Sequence, residues 1–160
     1  MPLSNETLFS SEKMDWATPW KLFDGISREF GFVLDAAASV ENAKCTRFIT
    51  EEMNAFEQSW HSIAEGGAVW LNPPYGRGID RWLAKAYQES QAGCCVVVLT
   101  FSRTDTQWWH DYAMKCAEIR LLAGRIKFAG AKNTAPAPSC LLVFDEARRR
   151  PHFSTQRFER

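Results

Sequence analysis

The chain alternates short apolar runs with amphipathic stretches. Between Asp15 and Phe30, the apolar residues Trp20, Leu22, Phe23, Ile26 and Phe30 recur at helical spacing. They follow Thr18-Pro19, a good N-cap and first-turn pair. Phe32-Val33-Leu34, closed by Asp35 and small residues, predicts a buried strand, and Arg47-Phe48-Ile49-Thr50 a second short one. Ala68-Val69-Trp70-Leu71 predicts a strand stopped by Pro73 and Pro74. Trp82, Leu83, Ala86 and Tyr87 share one face of a helix over 80–90. The unbroken apolar run over 94–101 has the pattern of a central parallel strand. A helix is predicted over 106–116, with Trp108-Trp109 packing inward, and two last strands over 119–128 and 139–144.

Strands alternate with helices, and then two strands follow without a helix between them. That order predicts an α/β fold: a doubly wound, mostly parallel sheet with an antiparallel edge strand. A length of 160 residues fits one domain. Residues 1–15 read as a loose N-terminal segment, 16–146 as the domain, and 147–160 as a basic tail carrying Arg148-Arg149-Arg150-Pro151. Such sheets bind ligands beyond the carboxyl ends of their strands. Three segments fall there: Asp35-Ala36-Ala37-Ala38, Asn72-Pro73-Pro74-Tyr75 and Ser102-Arg103-Thr104-Asp105.

Charge narrows the field. The formal net charge is zero, so any binding of nucleic acid must rest on a local patch. The five cysteines are odd in number and include no C-x-x-C pair, which favours a reducing compartment over a disulfide framework. His61, His110 and His152 lie far apart in sequence, so no metal site is expected. No signal peptide or membrane-spanning apolar stretch is recognisable, and a cytoplasmic protein is expected. The pattern does not fix an oligomeric state; a monomer is favoured.

The tetrapeptide Asn72-Pro73-Pro74-Tyr75 suits chemistry on a planar aromatic amine. The lone pair of such an amine is delocalised into its ring. A site that accepts hydrogen bonds from both amino hydrogens turns the nitrogen toward tetrahedral geometry and frees that pair. The amide oxygen of Asn72 and the carbonyl of Pro73 can be those acceptors, held by the two prolines. Tyr75 offers a ring on which a flipped-out base can stack. Asn-Pro-Pro is also a plausible turn. Its position directly behind a buried strand favours the site.

Several blocks carry a resemblance. They are Thr18-Pro19-Trp20, Leu34-Asp35-Ala36-Ala37-Ala38, Glu41-Asn42-Ala43-Lys44-Cys45, Val69 to Arg77, Leu99 to Thr106, and Gly124-Arg125-Ile126-Lys127-Phe128. In this order they resemble the phage-type DNA adenine-N6 methyltransferase family, relatives of the Dam enzymes, over roughly Trp16 to Phe144. The resemblance implies a Rossmann-like class I methyltransferase fold, S-adenosylmethionine as methyl donor, and double-stranded DNA as partner. It also implies a phage or prophage gene expressed in a bacterial host.

By the same resemblance Asp35, Ala36 and Ala37 lie where relatives hold the methionine part of the cofactor. Thr18 and Pro19 lie where they hold its carboxylate. Glu52 and Asn54 lie where ribose and adenine bind. Asp35 also reads as a helix N-cap, and Thr18-Pro19 as a simple helix start. The chain departs from the wider pattern in placing Ala36-Ala37-Ala38 where a glycine-rich loop is usual. There is no room for a separate recognition domain, so DNA contacts fall to Arg77, Arg103, Arg125, Lys127 and Lys132. The motif also fits cytosine N4, an RNA adenine or a protein glutamine. A non-catalytic DNA-binding decoy on the same fold is a further alternative.

Overall fold

The structure is a computed structural model that describes residues 16–148 and 152–156. The predicted N-terminal segment 1–15 lies outside the described residues. The elements in chain order are α1 (Trp20–Phe30), β1 (Phe32–Asp35), β2 (Arg47–Phe48), α2 (Trp60–Ala64), β3 (Ala68–Leu71), α3 (Ile79–Gln91), β4 (Val96–Phe101), α4 (Gln107–Asp111), β5 (Glu118–Leu122), β6 (Ser139–Phe144) and β7 (His152–Gln156). The strands form one sheet in the order β2-β1-β3-β4-β6-β5-β7.

The first four strands of that order are parallel. Their side chains alternate between two cores. Leu34, Val69, Leu71, Val96 and Val98 face Trp60, Leu83, Ala86 and Trp109 of α2, α3 and α4. Trp70, Val97, Leu99 and Phe101 face Leu22, Phe23 and Ile26 of α1. Burial on both faces is why β3 and β4 read as unbroken apolar runs. The doubly wound, mostly parallel α/β sheet is therefore the architecture of this chain.

Four details differ from the pattern-based reading. The antiparallel strand, β6, is not at the edge. It lies between β4 and β5 and pairs antiparallel with both. All six of its residues are buried, as a strand with neighbours on both sides requires. The strand predicted over 119–128 ends at Leu122. Past it, Gly124 takes φ 89° and the chain leaves the ladder, although Ile126 and Phe128 stay buried. The helix predicted over 106–116 is divided: α4 stops at Asp111 and one 3-10 turn follows over Ala113–Lys115. Finally, β7 lies within the stretch read as a tail and pairs in parallel with β5. Its sequence, His-Phe-Ser-Thr-Gln, has too few apolar residues to signal a strand by alternation.

An ionic cluster anchors that last strand. Glu118 on β5 is buried, and both its oxygens accept hydrogen bonds from Arg120, at 2.9 and 3.0 Å. Arg148 donates to Glu118 at 3.1 Å, and Ser154 of β7 donates to it at 2.6 Å. Arg120 also grips Glu29 near the end of α1 with two bonds, at 2.7 and 3.1 Å. That guanidinium holds the Glu29 carboxyl below its usual range. Among the described residues, no helix is long and apolar enough to cross a membrane, and no group of three or more His, Cys, Asp or Glu is placed to hold a metal ion.

Arg120→Ala should lower stability by about 3 kcal/mol, the low end for breaking a buried pair, because Arg148 and Ser154 still reach Glu118. Urea unfolding measures this. A loss below about 0.5 kcal/mol, the scale of an exposed pair, would mean that the cluster behaves as a solvated surface network.

Candidate active site

The carboxyl ends of β1, β3 and β4 lie along one edge of the sheet, and β5 runs in the same direction as β4 because both are antiparallel to β6. The helix α1 packs over this sheet and returns into β1 through Gly31, in left-handed conformation at φ 65°. Its N-terminus therefore points to the same edge. Residues far apart in sequence converge there.

Asn72 follows β3 directly, and both ends of its amide are engaged. The Nδ2 group donates to the main-chain carbonyl of Trp16 at 2.9 Å. The Oδ1 atom accepts from the hydroxyl of Tyr75 at 2.9 Å. Trp16 O is an acceptor only, so it fixes which end of the amide is nitrogen. Pro73 is buried and Pro74 exposed, and Gly76 and Gly78, at φ 112° and 93°, turn the chain into α3.

Tyr75 was expected to present its ring to a ligand. Here the ring stacks on Phe101, with centroids 4.4 Å apart and planes 21° apart. Trp16 and Phe128 meet it edge-on, each at 5.9 Å. Its hydroxyl turns inward toward Asn72, and burial pushes its pKa well above the usual phenol range. Trp16 itself touches Tyr75, Phe101 and Phe128. Sequence reasoning did not single out Trp16 or Phe101. Only the aromatic identity of position 16, beside the Thr18-Pro19 block, was available as a signal.

Asp35 ends β1 and is 3% exposed. No helix follows it, so it caps a loop and not a helix. One carboxylate oxygen accepts from the Ala37 N–H at 3.3 Å, the other from the Lys44 N–H at 3.0 Å. Burial raises its pKa to about 6, against those two bonds and the Lys44 charge, which lower it. Ser39 and Asn42 close the same loop reciprocally, at 2.7 and 3.2 Å. None of Ala36, Ala37 and Ala38 has positive φ, so this loop does not require glycine there. Ala36 is buried and donates its N–H to Trp70 O at 3.0 Å.

Thr18 is 1% exposed, and its hydroxyl has no hydrogen-bond partner among the described residues. Such a group is costly unless something else pairs with it. Pro19 is the N-cap of α1 and offers no side-chain cap. Glu52 is exposed on the loop after β2. Asn54 takes φ 53°, and its side-chain oxygen accepts from the Phe56 N–H at 3.3 Å, a local turn. Arg77, Arg103, Arg125, Lys127 and Lys132 are all exposed, on segments that leave β3, β4 and β5 at this edge. Arg125 donates to Ala135 O at 3.4 Å. Trp109 is in the core, whereas Trp108 is half-buried beside Arg77 and Tyr112 in a cavity of about 470 Å³.

The fold and the site define an α/β protein in which Thr18, Asp35 and Asn72 come together at the carboxyl edge of a mostly parallel sheet. A family model described as DNA N-6-adenine-methyltransferase (Dam) matches residues 5–156, and the chain belongs to that family. It is 32% identical over 105 residues to a DNA N-6-adenine-methyltransferase of Escherichia phage T1, covering 65% of this chain and 42% of that protein. It is 30% identical over 122 residues to a DNA N-6-adenine-methyltransferase of Haemophilus phage HP1 (strain HP1c1), covering 74% of this chain and 68% of that one. The match thus spans less than half of the phage T1 relative.

The raised pKa of Asp35 has a measurable consequence. A group that titrates near 6 in the folded state and near 3.8 when unfolded adds stability at low pH. That contribution is lost as pH rises through about 6. Wild type should therefore gain stability relative to Asp35→Asn as pH falls from 8 to 5. A stability difference that stays flat over this window would show that Asp35 titrates as an exposed carboxyl.

Proposed function

We infer that the protein transfers a methyl group from S-adenosylmethionine to the exocyclic N6 amine of adenine in DNA. The observation that carries this reading is the placement of Asn72. Its amide is locked in one orientation at the carboxyl end of β3, in a chain of the Dam family.

S-adenosylmethionine supplies, when bound, a methyl group activated on a sulfonium sulfur. The residues present suit it. The unpaired hydroxyl of Thr18 and the N-terminus of α1 favour a carboxylate. The Asp35 carboxylate favours a positive group. Glu52 and Asn54 lie on the loop that would meet the nucleoside. Asn72 Oδ1 and the Pro73 carbonyl accept the two amino hydrogens of the base. Both bonds strengthen as the nitrogen gains positive charge, so their effect falls on the transition state. An extruded adenine packs against the aromatic group around Tyr75.

DNA is held by the exposed cations of the same edge: Arg77, Arg103, Arg125, Lys127 and Lys132. With zero net charge overall, the contact is local. Each neutralised phosphate contributes a slope of about −0.9 in log affinity against log salt, so a slope no steeper than about −5 is expected. A slope beyond about −8 would require phosphate contacts well outside this patch.

Incubation with plasmid DNA and labelled S-adenosylmethionine, followed by mapping of modified bases, tests the activity directly. N6-methyladenine is the expected product. Label on cytosine alone, or no transfer by wild type, overturns the reading. Asn72→Ala should slow single-turnover transfer by about a hundredfold to a thousandfold, with cofactor binding close to normal.

Thr18→Val gives an independent check on the cofactor. It replaces an unpaired buried hydroxyl by a methyl of similar size, so the free protein should be equally or more stable. S-adenosylmethionine binding, measured by calorimetry, should weaken about tenfold, the equivalent of one lost hydrogen bond. Unchanged affinity would remove Thr18 from the cofactor site.

A further inference from the structure

The sequence places asparagine at the head of the Asn-Pro-Pro-Tyr loop, where aspartate would offer the base the same kind of acceptor oxygen. The structure supplies a reason for the amide. We propose that Trp16 is a positioning residue of the methyl-transfer site, whose main-chain carbonyl selects an amide over a carboxylate at position 72 and aims its oxygen at the substrate. This rests on the methyl-transfer reading of the site given above.

Three observations carry it. The contact is a hydrogen bond at 2.9 Å between groups 56 residues apart in sequence, so it is tertiary and not a turn. The carbonyl is fixed from both sides of its residue. The Trp16 ring is wedged among Tyr75, Phe101 and Phe128, at 5.9, 6.2 and 5.1 Å. The next residue, Ala17, accepts from the Ala129 N–H at 3.0 Å in an antiparallel bridge. Finally, a carbonyl oxygen can only accept, and an ionised carboxylate can only accept. An aspartate in this place would set two acceptors against each other, and turning the group would present a second oxygen of the same kind. With asparagine, the nitrogen satisfies Trp16, and the oxygen is left for Tyr75 and for the incoming amine.

The Asn72→Asp variant separates this from a merely structural role. Its carboxyl matches the amide only when protonated, with its O–H donating to Trp16. The pKa of that carboxyl is therefore raised by folding. The variant's stability is complete below the unfolded value of about 3.9 and is lost as pH rises through the folded value. The titratable groups beside it are the Tyr75 hydroxyl, which burial keeps neutral, and Asp35 at the end of the neighbouring β1. The Cys140 thiol, coupled to Tyr75, is pushed up to about 12 by burial. All three are shared with wild type, so a comparison at each pH removes most of their contribution.

The experiment is a pair of pH profiles from 5 to 8 for wild type and Asn72→Asp, reading Tm and single-turnover methylation of DNA. The expected Tm gap is small at pH 5 and widens with pH. The rate of the variant should fall at least tenfold further behind wild type between pH 6 and 8. A Tm gap that is flat or narrows as pH rises overturns the assignment, whatever the rates show. If wild type transfers no methyl group, the functional reading fails alone, and the Tm profile still decides the role of Trp16. Trp16→Phe, which keeps a ring in the cage, should restore most of the single-turnover rate that Trp16→Ala loses. Equal rates for wild type and Trp16→Ala would also overturn the assignment.

Discussion

Burial of β3 and β4 on both faces is the constraint on which the rest of this structure depends. A strand covered from both sides is apolar along most of its length. Charged and amide groups gather where β1 and β3 stop. Parallel strands stop together, and this sheet therefore collects Asp35, Asn72 and Ser102 along one edge. The helices that cover the two faces also fix where α1 begins, which brings Thr18 to the same edge. The opposite end of the sheet carries the Glu118–Arg120–Arg148 cluster and serves adhesion of the last strand.

The two ends treat buried polarity differently. At the Glu118 end each charge is matched, and hydrogen bonds fill the available positions. At the carboxyl edge matching is left incomplete. The Thr18 hydroxyl is unpaired, and Asp35 is held with its pKa near 6 by burial. Those features lower the stability of the free protein. In proteins generally, perturbed and unpaired buried groups of this kind cluster at functional sites. The unsatisfied groups are thus informative in a way that the well-bonded ones are not.

Much of this architecture was legible in the sequence. The helical period over Trp82, Leu83 and Ala86 located α3, and the apolar run located β4, because both signals follow directly from burial. The place of Asn72-Pro73-Pro74-Tyr75 at the carboxyl end of a buried strand was legible, because the two prolines stop the apolar run of β3. Other features were not. The helix α2 is only five residues long, too short to show a period, although Ser59 caps it. The place of β6 inside the sheet was hinted at by its apolar run but was assigned to an edge by chain order. The alternation of Arg125, Ile126, Lys127 and Phe128 imitated a strand, since a loop lying on a core also buries every second residue. Asp35 was read as a ligand group or a helix cap. That it also organises the backbone of its own loop depends on contacts nine residues apart, which no local pattern reports. The engagement of Asn72 by the Trp16 carbonyl could not be read from the sequence, because every residue carries a main-chain carbonyl and the two residues are 56 positions apart.

The bridge between Ala17 and Ala129 joins residues that lie on either side of β1 to β5 in the chain. During synthesis the segment holding Trp16 leaves the ribosome early and waits. Asn72 emerges next, then Phe101, and only after Ala129 has appeared can the aromatic cage close around Tyr75. Contacts so distant in sequence form late, because the intervening loop must be ordered first. A partly made chain can therefore collapse its sheet without orienting the amide at position 72. The orientation of that amide therefore depends on a segment made after β1 to β5, and it is set late in folding.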